Sequence, residues 1–574
     1  FESAFKAAFP SHTLYQDYEG ETPVAAVGEP VGLMLDKSKG LAQGPELVTN
    51  GDFSNGTTDW NAASSGVGTI VDGQLVITST QPTDNAYAFS QSMPVVAGKS
   101  YKVSGELVAF TGSNMQIRVG SSNTSLSYGV IESNSLGTGF KSIIVQPTSS
   151  ILFITLYGFG EGDSATFDNI SVTEIQGSHA TQTTSTKRPI YARHPEGGIR
   201  NLLNYTEQFD NGYWNKQNAT ITPNSILAPD GSTTAETLTC SSTGANSFIS
   251  KYSIGVGGRG YTATVYAKAG TNDIIRIGNV SSATNGCWYD LTSGTVGTSN
   301  GAANTAAIED VGNGWYKLTR YFDSWLSGGN QLFFGNTSVN GSVNGPSAGE
   351  TLYIWGAQLE EATEASNYQK VVTDIDVTES GVGEVYYLKF DGTDDGMMIN
   401  NLTSPSTPLT ALFGYSSTSA ESFTFDYLID IETGRTIFGA SSNVAGKIGY
   451  FDGAWSDFEA DANAIKVLTY DLVENNAKMR VDGTQEYSDT TYDQKSIAGS
   501  IGLFTGYGTG GELAGNMYQT ILRAAESTDE EIAKAETFVA NKTGLKAQVD
   551  GIATLDLNFG ANTYTAKNSN GGVI

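Results

Sequence analysis

Paired carboxylates on one strand face could break a glycosidic bond, and this 574-residue sequence carries only incomplete pairings. A strand reading E-x-D-x-x-E would project a nucleophile and an acid to the same side. The nearest match is Glu459-Ala-Asp461, whose third position is Ala464. Asp430 and Glu432 share a face of an expected strand, where a solvated surface accounts for them. His12, His179 and His194 are scattered, and there is no G-x-S-x-G and no phosphate-cradling loop. Nucleophilic and phosphoryl chemistry therefore lack a constellation, and the expectation is a chain that is not an enzyme. Asp391-Gly-Thr-Asp-Asp-Gly396 has Thr393 and Leu402 where a calcium loop needs acids, so a turn is expected. Cys240 and Cys287 have no zinc-ligand spacing; they fall in one expected module and could pair, and two buried free thiols are the preferred reading.

Binding chemistry is better served. Sugar C–H faces stack on aromatic rings, while carboxylates and amides take the hydroxyls. Trp60, Trp214, Trp315 and Trp355 lie inside strand motifs and read as core. Trp325 (Asp323-Ser-Trp-Leu-Ser-Gly-Gly) and Trp455 (Asp452-Gly-Ala-Trp-Ser-Asp) lie among turn residues. These two are the candidate glycan platforms, and a subunit-contact role fits them equally.

The elements that must hold such groups are strands. Apolar residues are 39% and charged residues only 16%, with 68 glycines and 10% aromatics. That mixture suits short strands joined by polar turns, and the length exceeds what one core can serve. The net charge of −29 repels phosphate backbones and anionic membranes. No run approaches the ~18 apolar residues of a membrane helix. Nucleic acid and membrane insertion are excluded as expectations.

An internal duplication organises the chain. ELVTNGDFSNGTTDW (46–60) answers NLLNYTEQFDNGYW (201–214), and VVAGKSYKVSGEL (95–107) answers GVGGRGYTATVYA (255–267). The copies close with SATFDNISVTEI (164–175) and ETLYIWGAQLEEA (350–362). Two jelly-roll modules are thus expected over 45–176 and 201–372. Before them lies an arm, 1–44, and between them a linker, 177–200. A third sandwich follows over 373–548, with an extension, 549–574. It ends in the one expected helix, with a capping box at Ser527-Thr-Asp-Glu530, an Ile532/Ala535/Val539 stripe and a stop at Gly544.

Several of these stretches resemble known families. Residues 14–38, LYQDYEGETPVAAVGEPVGLMLDKS, resemble a leader of phage and prophage structural proteins. In those relatives the leader runs into a "HATQ…RP.Y" segment and the "L.FDG.DD" start of a concanavalin-like, laminin-G-like domain. Here His179-Ala-Thr-Gln182, Arg188-Pro-Ile-Tyr191 and Leu388-Lys-Phe-Asp-Gly-Thr-Asp-Asp395 are separated by the two modules. One lectin-like domain carrying two insertions is implied. The second module is similar to a phage virion module, and the first resembles xylan- and cellulose-binding jelly rolls. Residues 515–544 match the close of the laminin-G-like phage domain.

The resemblance implies an all-β virion protein, a fibre or spike, homotrimeric by family analogy, on the particle surface. Its partners would be other virion proteins and a host-surface glycan. The rivals are a head or tail decoration that binds nothing specific, and a secreted bacterial glycan-active protein. The resemblance also implies a structural calcium in such jelly rolls, held by an acid after the first-strand Phe, where the first copy has Ser54, and by an Asp of the last strand, where the second has Trp355. Each copy has half of that pattern: Asp52 and Asp168 in the first, Asp210 in the second.

Overall fold

The computed structural model describes residues 13–567 apart from 19, 21, 37–42, 63–65, 80–86, 112–114, 134–136, 159–163, 280–285, 301–304, 326–330, 403–407, 418–425, 432–435, 441–447, 452–454, 459–465, 493–498, 506–511, 545–553 and 559–562. The fold is all-β with a single α-helix among the described residues, as composition led us to expect. The chain divides into two compact units, Phe1–Tyr191 with Tyr387–Ile574, and Ala192–Tyr386. Among the described residues no helix is long and apolar enough to cross a membrane.

Within the first unit, the stretch 45–176 forms two antiparallel sheets. One orders strands Gly129–Glu132, Met115–Gly120, Ile151–Gly158, Tyr87–Pro94 and Asn61–Ala62. The other orders Gly139–Val145, Ser100–Phe110, Ser164–Ile175, Gln74–Ser79 and Gly66–Val71. Period-2 alternation decides which side chains meet between them. Ile117, Val119, Ile154 and Leu156 from one sheet bury against Leu75, Val103, Phe167 and Val172 from the other.

The same unit holds a second sandwich around Phe390, Met397, Phe413, Leu428, Leu468, Ile501 and Leu503. Its helix, Asp529–Thr543, packs Val539 and Ala540 on Leu412 and Val467. The cap differs by one residue from expectation. Thr528 is the N-cap, its hydroxyl accepting the Glu531 N–H, because Thr528 is the residue with extended backbone at the helix entrance. Gly544 stops the helix at φ 74°, and Phe538 remains 40% exposed.

The leader and the His179 segment complete a sheet edge of this sandwich. Leu14–Tyr15, Leu33–Met34, Ala180–Thr181 and Met397–Leu402 are hydrogen-bonded neighbours in that order. Gln182 Nε2 donates to Gly396 O at 2.6 Å, and Tyr191 N to Glu29 O at 2.9 Å. His179 is buried; its Nδ1 accepts the Asp36 N–H at 2.8 Å and its Nε2 faces Ile175 O at 3.3 Å. That pair of contacts suits the neutral ring with its proton on Nε2. Burial holds the imidazole below its ordinary pKa. An unfolded histidine therefore takes up its proton first, and stability from this contact is lost as pH falls below about 6.5. The protection factor of the Asp36 amide, corrected for intrinsic exchange, should fall as pH drops below about 6.5, and His179→Phe should remove that dependence. A pH-independent protection factor at Asp36 would refute the assignment.

The second unit repeats the first sandwich strand for strand. One sheet orders Asn215–Gln217, Ser247–Tyr252, Gln331–Asn336, Ile274–Gly278 and Gly286–Asp290, with Thr295–Ser299 added at the edge. The other orders Ala219–Ile226, Ala235–Cys240, Thr351–Glu360, Tyr261–Ala269 and Trp315–Phe322, with Ala306–Gly312 added. Small contacts repeat too. The Tyr101 and Tyr261 hydroxyls accept the N–H of Val96 and Val256, each at 2.8 Å. The Trp60 indole donates to Asn50 O and the Trp214 indole to Tyr205 O, and both acceptors have positive φ. Ile170 N donates to Gly51 O and Ala357 N to Thr206 O, each after a positive-φ residue in the last strand, Asn169 or Gly356. These contacts align Asp168 with Trp355 and Asp52 with Glu207. Cys240 and Cys287 are free and buried.

Candidate carbohydrate-binding faces

Trp325 does not lie on a loop open to ligand. It is 1% exposed, donates its indole N–H to Ile254 O at 2.7 Å, and meets Tyr261 and Phe322 edge-on. Its turn-rich neighbours misled because a ring beside polar turn residues can still point inward. Trp455 opens a strand, Trp455–Phe458, paired with Ile448–Phe451, rather than sitting in a loop; its side chain is outside the described residues. Glu459, Asp461 and Glu432 also lie outside them. Asp430 is 4% exposed, so the solvated-face reading does not hold for it: its strand runs inside the sheet between Thr436–Ala440 and Gly499–Leu503.

The acids assigned to calcium stand apart from one another in their hydrogen bonding. Asp52 is exposed and its Oδ1 accepts from Ser54 N and Oγ. Asp168 accepts from Asn169 N and from Gln74 Nε2. Asp210 instead faces Glu236 in the second unit. Among the described residues, Asp391, Asp394 and Asp395 are the one acidic trio close enough to share an ion. There the Asp391 carboxylate accepts the amides of residues 393, 394 and 395, which is the geometry of the expected turn.

A different set of side chains has the chemistry of a sugar-binding face. In Met115–Gly120, Ile117 and Val119 point into the core, so Gln116 and Arg118 point outward. Across the ladder, Glu132 pairs with Gln116 on one side and Tyr157 pairs with it on the other. Gln116 Nε2 donates to Glu132 Oε2 at 2.7 Å, and Arg118 Nε donates to Gln116 Oε1 at 2.7 Å. The Arg118 guanidinium lies 3.6 Å from the centre of the Tyr157 ring. Arg118 and Glu132 remain partly exposed, whereas Gln116 and Tyr157 are buried, so the row offers a cation and a carboxylate held over a covered ring. Burial lowers the Arg118 pKa, offset by Tyr157 and Glu132, and the group stays cationic. The row was legible only as a repeated pattern, Ile117-Arg118-Val119-Gly120 and Ile275-Arg276-Ile277-Gly278, with an arginine among core-facing apolar residues.

In the second unit the matching face is filled by its own side chains. Arg276 is 0% exposed, 4.2 Å from the Phe333 ring centre and 5.6 Å from that of Trp288. Trp288 donates to Ser342 O at 2.6 Å, and Phe248 packs on Phe333. A pocket of about 350 Å³ opens elsewhere in this unit, lined among others by Glu207, Asp210, Asn224, Thr234, Glu236 and Lys370. Lys370 Nζ sits 2.7 Å from Glu207 Oε2. Glu236 is buried, and its Oε2 accepts the Phe209 and Asp210 amides at 2.7 and 3.2 Å. Burial first, and then the Asp210 charge, push its carboxyl up to about 8. The two carboxyls share a hydrogen bond, closer than the about 5–10 Å that brackets a glycosidic bond.

No family model and no curated protein matches the chain. Solved structures give weak likenesses. A Bacteroides ovatus protein described as carbohydrate binding is 9% identical, covers 62% of this chain and 90% of its own, and has a TM-score of 0.22. Domains LG4-5 of the mouse laminin α1 chain are 10% identical over 46% of this chain and 82% of theirs, with a TM-score of 0.19. A Trypanosoma rangeli sialidase is 9% identical over 88% and 94%, with a TM-score of 0.23. At these scores the likenesses carry no argument about ligand or activity.

Proposed function

We propose that this chain is a glycan-binding protein that engages an uncharged polysaccharide on the outer sheet face of its first sandwich. The carrying observation is the Glu132–Gln116–Arg118 row laid over Tyr157. The Glu132 carboxylate accepts from sugar hydroxyls, the guanidinium donates to a vicinal pair, and Gln116 with the ring beneath keeps the guanidinium in place. The charge of −29 favours neutral over anionic glycans. The 14–38 and 515–544 resemblances support a setting on a phage particle, as a trimeric fibre or spike adhering to host-surface glycan. No catalytic step is part of the proposal.

A glycan array probed with the full chain and with Arg118→Ala tests it. Binding to neutral oligosaccharides should weaken by roughly tenfold or more in the variant when measured below its melting temperature, which falls because truncation uncovers Tyr157 and frees Gln116 Oε1. An array on which the native chain binds nothing would favour the decoration role. Binding untouched by Arg118→Ala would move the site elsewhere.

A further inference from the structure

The calcium that the jelly-roll resemblance implies does not fit the second unit, because lysine ammonium groups already sit on its oxygens. The Lys216 Nζ donates to three backbone carbonyls of one loop, Asp210 O at 2.8 Å, Asn211 O at 2.7 Å and Trp214 O at 3.1 Å. Three inward-turned carbonyls beside an acid resemble the oxygen donor set a hard cation takes. Here an ammonium, with three N–H donors and unit charge, satisfies all three. Burial lowers the Lys216 pKa, and the neighbouring Asp210 carboxylate offsets part of that shift. The structurally matched first-strand acid, Glu207, is taken by Lys370 at 2.7 Å, with Tyr368 donating to its other oxygen at 3.3 Å. At the last-strand position Trp355 replaces the acid.

We infer that Lys216 and Lys370 act as the tethered cations of this module, so that the loop from Tyr205 to Trp214 is held without a metal ion. The first sandwich reaches the same end by another route. There the Asn50 side chain donates to Gly56 O and Thr58 O, both at 2.9 Å, and accepts the Asn55 N–H at 3.0 Å. One side chain thus gathers the corresponding loop in each copy. An amide does so in the first and an ammonium in the second. A tethered cation cannot be removed by a chelator or diluted away, which frees the module from ambient calcium. The inference is independent of what the protein binds.

Hydrogen exchange read on peptides covering residues 205–217 of the full chain tests it locally. In the native protein, protection there should be the same with chelator and with millimolar calcium chloride. Lys216→Met, which keeps length and removes charge, should speed exchange of these peptides by roughly tenfold or more. Lys216→Arg serves as the folded control if Lys216→Met proves globally unfolded, and it should retain protection within severalfold. Two results would overturn the inference: native protection that falls on chelation and returns with calcium, or protection indifferent to Lys216→Met in a folded protein.

Discussion

Replacing Glu236 by Gln is expected to stabilise the Ala192–Tyr386 unit at and above neutral pH and to abolish most of the stability lost as pH rises from about 4.5 to about 8. The carboxyl is 1% exposed, beside Asp210, with its pKa pushed up to about 8. A carboxyl held above its unfolded value binds its proton more tightly in the folded state. Its contribution is complete below about pH 4.5, declines as pH rises and is gone above about pH 8. At about 1.4 kcal/mol per pH unit, the upper bound over that window is about 4–5 kcal/mol. Gln reproduces the protonated form: its oxygen can accept the Phe209 and Asp210 amides while its NH2 faces the Asp210 carboxylate. Denaturant unfolding of the full chain between pH 5 and 9 (roughly the window above), followed by exchange in peptides of this unit, measures it. Parallel pH profiles for native and Glu236→Gln chains would show that the two carboxyls carry no shared proton.

Trp325→Ala separates a core residue from a ligand platform. The ring is buried against Tyr261 and Phe322, with its N–H committed to Ile254 O. Truncation leaves a large cavity and an orphaned carbonyl, and the expected cost is about 3–5 kcal/mol. Thermal melting reads it, with glycan affinity of the folded fraction expected to stay unchanged. Lost binding with intact stability would return Trp325 to the role its turn-rich neighbours suggested.

Much of the architecture follows from sequence alone because its signals are local. Alternation such as Tyr261-Thr-Ala-Thr-Val-Tyr-Ala sets a strand whose Tyr261, Ala263 and Val265 are core. The paired Asn-Phe-Trp stretches announced two copies of one sandwich, and Gly544 marked the helix end. The tryptophans inside those motifs, Trp60, Trp214, Trp315 and Trp355, are all buried. Sites were another matter. Trp325 looked exposed because turn residues flank it, yet side-chain direction depends on which sheet the turn leaves and re-enters. Arg118 and Arg276 stand in the same four-residue pattern. Only the packed sheets decided that one is partly open beside Gln116 and Glu132, while the other is sealed under Trp288 and Phe333. The cation question turned the same way. Asp210 reads as half a calcium clasp along the chain, but Lys216 and Lys370 lie 6 and 160 residues beyond it. Only the folded chain brings Lys370 to Glu207, through the Tyr205 and Thr206 amides that donate to Val372 O and Val371 O, whereas sequence patterns carry only what neighbours within a turn or a strand can do to each other.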